Sequence, residues 1–234
     1  GTGDLNYGSF SMGGAGILKS TDAGETWDIK GEEIFTGYYP QPPGSFPQYD
    51  AVGKVVVDPR NSNNIIAGTK TGLWFSYDSG ENWNGPCLTN AYPNQRQDIT
   101  GLHAINNGTS TDMFVAVGTR AFSTTVQINL AENGANGIYK GTVPSSGCPA
   151  SWILLSRPDN GWPAGTGSGV PVYQAGGNTL GRIDIDVSDS NPLYIYAIVQ
   201  AVGGTYQGGV KGVWRTTDGG ANWEQRAGLG NNAA

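Results

Sequence analysis

Apolar residues in this chain come in short bursts separated by Gly, Pro and Asn. In Arg182-Ile183-Asp184-Ile185-Asp186-Val187 they alternate with polar residues at the period of a half-buried strand. Lys54-Val55-Val56-Val57 leads through a polar turn to Asn64-Ile65-Ile66-Ala67, and 182–187 leads through Ser190-Asn191-Pro192 to Leu193-Tyr194-Ile195-Tyr196. Paired strands are expected at both places. Three further bursts, Gly16-Ile17-Leu18-Lys19, Gly72-Leu73-Trp74-Phe75 and Gly212-Val213-Trp214-Arg215, each run into one octad pattern. Its copies are Ser20-Thr21-Asp22-Ala23-Gly24-Glu25-Thr26-Trp27, Ser76-Tyr77-Asp78-Ser79-Gly80-Glu81-Asn82-Trp83 and Thr216-Thr217-Asp218-Gly219-Gly220-Ala221-Asn222-Trp223. A short carboxylate beside a Gly suits a tight turn: Asp accepts bonds from amides of its own loop, and Gly supplies a φ angle that other residues avoid. Each octad is predicted to be the tip of a β-hairpin, tied by its Asp, whose second strand opens with a Trp.

The octad resembles the Asp-box, or BNR repeat, of β-propellers such as sialidases, xyloglucan-cleaving glycosidases and sortilin-type receptors. The resemblance implies an all-β fold, a propeller of four-stranded antiparallel blades. It also implies a structural role for Asp22, Gly24, Trp27, Asp78, Gly80, Trp83, Asp218, Gly220 and Trp223, at the joint between the third and fourth strands of a blade.

A blade then reads as strand A, polar turn, strand B, loop, strand C, octad, strand D. Trp27 and Trp83 stand 56 residues apart, but Trp83 and Trp223 stand 140 apart, an interval that must hold another blade. Residues 99–105, 113–119, 137–140 and 152–155 supply its strands, and its octad has decayed to Gly141-Thr142-Val143-Pro144-Ser145-Ser146-Gly147-Cys148, in a longer connection without the Asp. Residues 1–234 are expected to form one propeller segment of about four blades, at 1–35 (lacking its strand A), 50–90, 98–157 and 180–228. The chain is expected to be part of a larger protein or of a ring closed by a partner. Further blades would come from the same or another chain, because an unpaired blade edge invites association.

Composition narrows the partners. With 38 Gly and only 14% charged residues, the chain favours short strands and many turns. A net charge of −6 makes nucleic acid and anionic membrane surfaces poor partners. No apolar run approaches the ~20 residues that span a bilayer, so no membrane insertion is expected. His103, the single His, reads as a half-buried strand residue and excludes a mechanism that needs two. Cys87 and Cys148 allow one bridge in an oxidising compartment. Their placement at different ends of neighbouring blades weighs against it.

Strand direction alternates within a blade, so the B–C and D–A connections share one face, and the A–B turns and octads share the other. The D–A connections at 31–53, 85–97 and 157–181, and the B–C connections at 3–15, 120–136 and 200–211, are long. Long loops on one end of a rigid scaffold are where binding concentrates. They carry Tyr7, Phe10, Tyr38, Tyr39, Phe46, Tyr49, Tyr92, Trp162, Tyr173 and Tyr206 among Gly, Asn, Gln and Pro. Rings beside amides suit a neutral, hydroxyl-rich ligand. From this set Tyr7, Tyr38, Tyr39, Tyr49, Tyr92, Trp162, Tyr173 and Tyr206 are the expected ligand-binding residues. The alternative is that the loops fold back and use these rings as small private cores.

Glycoside cleavage needs two carboxylates roughly 5–10 Å apart. Asp4, Glu32, Glu33, Asp50, Asp98, Glu132 and Asp159 lie on the loop-bearing side. Asp4 is the catalytic candidate: it follows strand B where the xyloglucan-cleaving family places one catalytic Asp, with Met12-Gly13-Gly14 downstream. No residue matches that family's second catalytic Asp, and a turn-capping role is the simpler reading of Asp4. Sialidase chemistry is disfavoured, because Arg60, Arg215 and Arg226 fall outside the loop-bearing side and no Arg-Ile-Pro start exists. One carboxylate per octad is too few oxygens for calcium, so no metal is expected, and no cofactor. Asn107-Gly108-Thr109 fits a glycosylation sequon.

The expected function is an extracellular or cell-surface recognition or scaffold module that binds glycan or protein through its aromatic loops. The alternatives are part of a xyloglucanase-like glycoside hydrolase acting on polysaccharide, and a polypeptide-binding assembly factor or receptor ectodomain.

Overall fold

A computed structural model describes residues 1–3, 13–35, 51–70, 72–88, 98–118, 137–163, 179–202 and 210–228. The apolar bursts are strands. β1 (Ile17–Lys19) and β2 (Asp28–Lys30) form an antiparallel pair. β3 (Val52–Val57), β4 (Ile65–Thr69), β5 (Gly72–Ser76) and β6 (Asn84–Cys87) form a four-stranded sheet in chain order. So do β7 (Asp98–Asn106), β8 (Thr111–Gly118), β9 (Gly137–Thr142) and β10 (Ile153–Leu154), and then β11 (Thr179–Val187), β12 (Ile195–Val202), β13 (Val210–Thr216) and β14 (Glu224–Gly228). The chain is an all-β propeller with about four blades, numbered 1 to 4 below.

Residues 1–3 stand beside β1 where a B strand belongs. The Thr2 amide and hydroxyl both donate to Gly16 O, at 3.0 and 2.7 Å. In blade 2 the Thr69 hydroxyl donates to Gly72 O at 2.8 Å in the same way. The repeated Gly-Thr pair thus closes strand B onto the Gly that opens strand C.

Alternation decides which side chains meet which neighbour. Ile66 opposes Phe75 across the sheet, and Ala67 opposes Trp74. Ile66 and Phe75 pack with Ile99, Leu102, Met113 and Val115 of blade 3, whereas Ala67 and Trp74 pack with Ile17 and Phe35 of blade 1. Likewise Phe114, Ala116 and Ile138 of blade 3 meet Ile183, Ala197 and Trp214 of blade 4. Every blade except the outermost pair therefore has two buried faces. Glycines permit the closest approaches. A Cβ on Gly68 would sit 2.7 Å from Ile99 Cγ2, and one on Gly101 would sit 2.8 Å from Ile185 Cγ1.

The junctions between blades are locked in two ways. After β2, Gly31 turns the chain into a four-residue helix, α1 (Glu32–Phe35), which drives Phe35 between Trp74 and Trp83 of blade 2 at centroid distances of 5.7 and 5.1 Å. After β10, a 3-10 turn at Pro158–Asn160 does the same with Trp162, 5.9 Å from Trp214 and 4.8 Å from Trp223 of blade 4. Asn160 ties that turn down by donating to Leu155 O and Gly220 O at 2.7 and 2.8 Å.

Between blades 2 and 3 no such third ring enters among the described residues. Instead Cys87 and Cys148 are joined in a disulfide, with Cα atoms 5.5 Å apart. This corrects the expectation drawn from the sequence, in which the two cysteines stood at different ends of neighbouring blades. The long connection after β9 leans over blade 2: Val143 and Trp152 pack on the cluster that contains Cys87, and Tyr77 Oη donates to Gly147 O at 2.7 Å.

Candidate functional site

The octads form one end of the array. In each, both oxygens of the Asp carboxylate accept from donors of its own turn. Asp78 Oδ1 accepts from Ser76 Oγ at 2.8 Å and from the Glu81 and Asn82 amides at 3.1 and 2.9 Å, while Oδ2 accepts from Asn82 Nδ2 at 2.7 Å. Asp218 repeats this with Thr216 and Asn222, and Asp22 with Ser20 and Thr26. The side chain four residues on, and then its amide, hold all three carboxyls down at about 2. Bonded at both oxygens within their own turns, these carboxylates act as turn locks. Among the described residues no group of three or more His, Cys, Asp or Glu is placed to hold a metal ion.

The opposite end carries the long connections. Residues 4–12, 36–50, 71, 89–97, 119–136, 164–178 and 203–209 all join strand ends on that side, where A and C strands begin and B and D strands finish. Here the inner strands share a feature that sequence alone did not reveal. Each complete A strand carries one extra residue against its B strand, between Val52 and Lys54, between Ile99 and Gly101, and between Leu180 and Ile183. Such bulges bend a strand and re-aim its side chains.

Just inside these bulges the inner strands converge. Lys54 Nζ of blade 2 lies 3.0 Å from Asp184 Oδ1 of blade 4, reaching past blade 3, and Arg182 Nη2 lies 3.2 Å from Asp184 Oδ2. The three side chains are each about one-third exposed, at 31%, 34% and 35%. They are solvated enough to meet a ligand and fixed enough to orient one. His103 Nε2 lies 3.3 Å from Asp186 Oδ1, and the Thr100 hydroxyl donates to Ile183 O, so all three inner strands are laced together. His103 is half-buried on β7, as its surroundings in the sequence imply.

Of the residues predicted to bind or react, Asp4, Tyr7, Tyr38, Tyr39, Tyr49, Tyr92, Tyr173 and Tyr206 lie outside the described residues. Trp162 is a correction. It is only 3% exposed, wedged between the two tryptophans of blade 4, and its Nε1 is buried without an acceptor among the described residues. The turn at Pro158–Asn160 throws the ring sideways into the junction before the Pro- and Gly-rich run begins. Asp159 is exposed and paired with Arg157 at 3.3 Å, and Glu32 and Glu33 occupy the first turn of α1. The cluster Lys54–Asp184–Arg182 went unrecognised because its members are 130 residues apart and the strand pattern shows only that they are the polar half of an alternation.

No protein-family model matches the chain, and no curated protein matches it. Solved structures do. An ancestral GH74 enzyme matches over 94% of this chain at 19% identity and a TM-score of 0.53, covering 22% of its own length. The GH74 xyloglucanase from Xanthomonas campestris matches over 90% at 18% identity and a TM-score of 0.52, covering 27% of its own length. The chain thus spans about a quarter of the length of the enzymes it resembles. At such identities the likeness speaks to architecture, and the architecture it supports is the β-propeller.

Proposed function

We propose that the chain is an extracellular propeller module that binds neutral polysaccharide at its loop-bearing end. The observation that carries this reading is topological. All the long connections but that between β9 and β10 join strand ends on one side, the side near which Asp184 can accept from sugar hydroxyls while Lys54 and Arg182 donate to them. The predicted aromatic residues of those connections (Tyr7, Tyr38, Tyr39, Tyr49, Tyr92, Tyr173 and Tyr206) supply rings for the C–H faces of the sugar. The Cys87–Cys148 bridge supports an oxidising, secreted setting.

Two faces of the segment favour further blades. On blade 1, Leu18, Trp27 and Ile29 are 47%, 57% and 48% exposed at positions where blades 2 and 4 bury their ring clusters. On blade 4, Tyr196 and Ile198, each 45% exposed, stand where blade 3 buries Phe114 and Ala116. Sheet faces of this kind are covered by a neighbouring blade at every junction within the segment, so we assign these two to blades of the same or another chain.

A second reading, part of a glycoside hydrolase with Asp4 as one carboxylate, draws on the likeness to GH74 enzymes. Affinity electrophoresis and reducing-end release on xyloglucan, mixed-linkage glucan and galactomannan separate the two. Binding without release supports the module. Release that Asp4→Asn abolishes supports the hydrolase. No retardation by any glycan, with a polypeptide recovered instead, overturns both.

A further inference from the structure

Blade 3 departs from its neighbours at the end away from the long connections. Where blades 2 and 4 turn at once through an Asp-tied octad, β9 runs on through Gly141 and Thr142, and β10 is cut to two residues. Between them opens a cleft of about 430 Å³, within the usual range for small-ligand sites. It is lined by the two arms of the connection, Thr142 to Pro144 and Pro149 to Ser151, and by Ile153. Lys140 and Asp112 also line it: Lys140 Nζ lies 2.9 Å from Asp112 Oδ2, and Asp112 Oδ1 also accepts from Asn107 Nδ2 at 2.9 Å. Lys140 is further held over the Phe114 ring, 5.5 Å from its centroid.

The cleft is built rather than incidental. Two prolines stiffen its connection, Cys148 pins the connection covalently to blade 2, and Tyr77 binds Gly147 O. A site preorganised in this way loses little on binding. Its chemistry selects the ligand class. Lys140 and Asp112 neutralise each other, so an anion would have to pull Lys140 off Asp112, and a cation the reverse. A hydroxyl pair does neither: one O–H donates to Asp112 while its neighbour accepts from Lys140. Thr142 and Ser151 add hydroxyl partners, and the proline and isoleucine surfaces accept an apolar C–H face.

We propose that this cleft is a second binding site, for one neutral sugar ring bearing vicinal hydroxyls. It lies at the opposite end from the loop-bearing site and does not rest on the reading given for it. The test is a protein-observed NMR titration of the 234-residue chain with glucose, xylose and cellotriose, and with sodium acetate as the charged control. Saturable shifts are expected at the Thr142, Ser151 and Ile153 amides with the sugars and not with acetate. Lys140→Met should weaken them by about tenfold or more, the loss expected for a hydrogen bond to a charged group. Ser151→Tyr, which fills the cleft and leaves the ion pair intact, should abolish them even if the ion-pair variants fold poorly. Absence of saturable shifts at these amides, shifts unchanged in Ser151→Tyr, or saturation by acetate alone overturns the proposal.

Discussion

The first and third junctions of the array differ from the second in what holds two blades together. At the outer two, one ring from the preceding blade is clamped between two tryptophans: Phe35 with Trp74 and Trp83, Trp162 with Trp214 and Trp223. At the middle one, blade 3 lacks the octad Asp but keeps a Trp, Trp152, directly before its last strand, and among the described residues a disulfide stands in place of the clamped ring. A ring clamp acts in the folded state, through packing and exclusion of water. A disulfide acts chiefly on the unfolded chain, by shortening its 61-residue loop. The two solutions are alternative ways of fixing one blade on the next. The covalent one leaves the blade 3 connection free to diverge, and it is there that the small cleft forms.

The largest expected effect comes from emptying a ring clamp. Trp162→Ala should cost about 3–5 kcal/mol in urea unfolding, as large buried truncations do, and Phe35→Ala should fall in the same range. Trp162→Phe should cost clearly less, because the indole N–H it removes has no acceptor among the described residues. If both alanine variants unfold like the parent chain, the clamps do not hold the junctions. Next in size, the double variant Cys87→Ala/Cys148→Ala should lose about 2–4 kcal/mol, and reductant should destabilise the parent chain but leave the variant unchanged.

Much of the fold was legible because the repeat spells it out. Ser76, Asp78, Gly80 and Trp83 each have a local job, so the hairpin could be read from eight consecutive letters. The strands of blade 3 were also legible without an octad, since Gly137-Ile138-Tyr139 repeats the alternation of Gly72-Leu73-Trp74. What failed were features fixed between blades. Trp162 looked like an exposed loop ring because its neighbours in sequence are Pro and Gly, while its neighbours in space come from blade 4. A signal did exist: Phe35 and Trp162 both follow a short turn directly after a D strand, ahead of a Pro- and Gly-rich run. The disulfide and the Lys54–Asp184 contact depend on how far a long connection leans and how tightly the inner strands curve, and no local pattern encodes either.

Acid separates the octad-bearing blades from blade 3. Asp22, Asp78 and Asp218 titrate at about 2 when folded and near 3.8 otherwise, so folding favours their ionised form. Their stabilisation is complete above about pH 3.8 and drains away as pH falls through 2. The melting temperature should therefore be flat above that window and decline within it, and the decline should be shallower in Asp78→Asn/Asp218→Asn. A decline equally steep in that variant would assign the acid sensitivity to other carboxylates. The smallest effect is expected at the inner cluster. Lys54→Ala should change stability by under about 1 kcal/mol, as partly exposed ion pairs do, while weakening glycan retardation if the loop-bearing end is the binding end.

Radial convergence of the blades is the claim on which the rest stands, and Lys54 and Asp184 test it most directly. A carbodiimide joins an amine to a carboxylate only when the two already touch. Treatment of the monomer followed by peptide mass spectrometry should recover a Lys54–Asp184 cross-link alongside the Lys140–Asp112 link within blade 3 and the Lys30–Glu81 link between adjacent blades, whose contacts are 2.9 and 2.6 Å. Recovery of those two links without any Lys54–Asp184 product would contradict the radial array, and with it a single loop-bearing end.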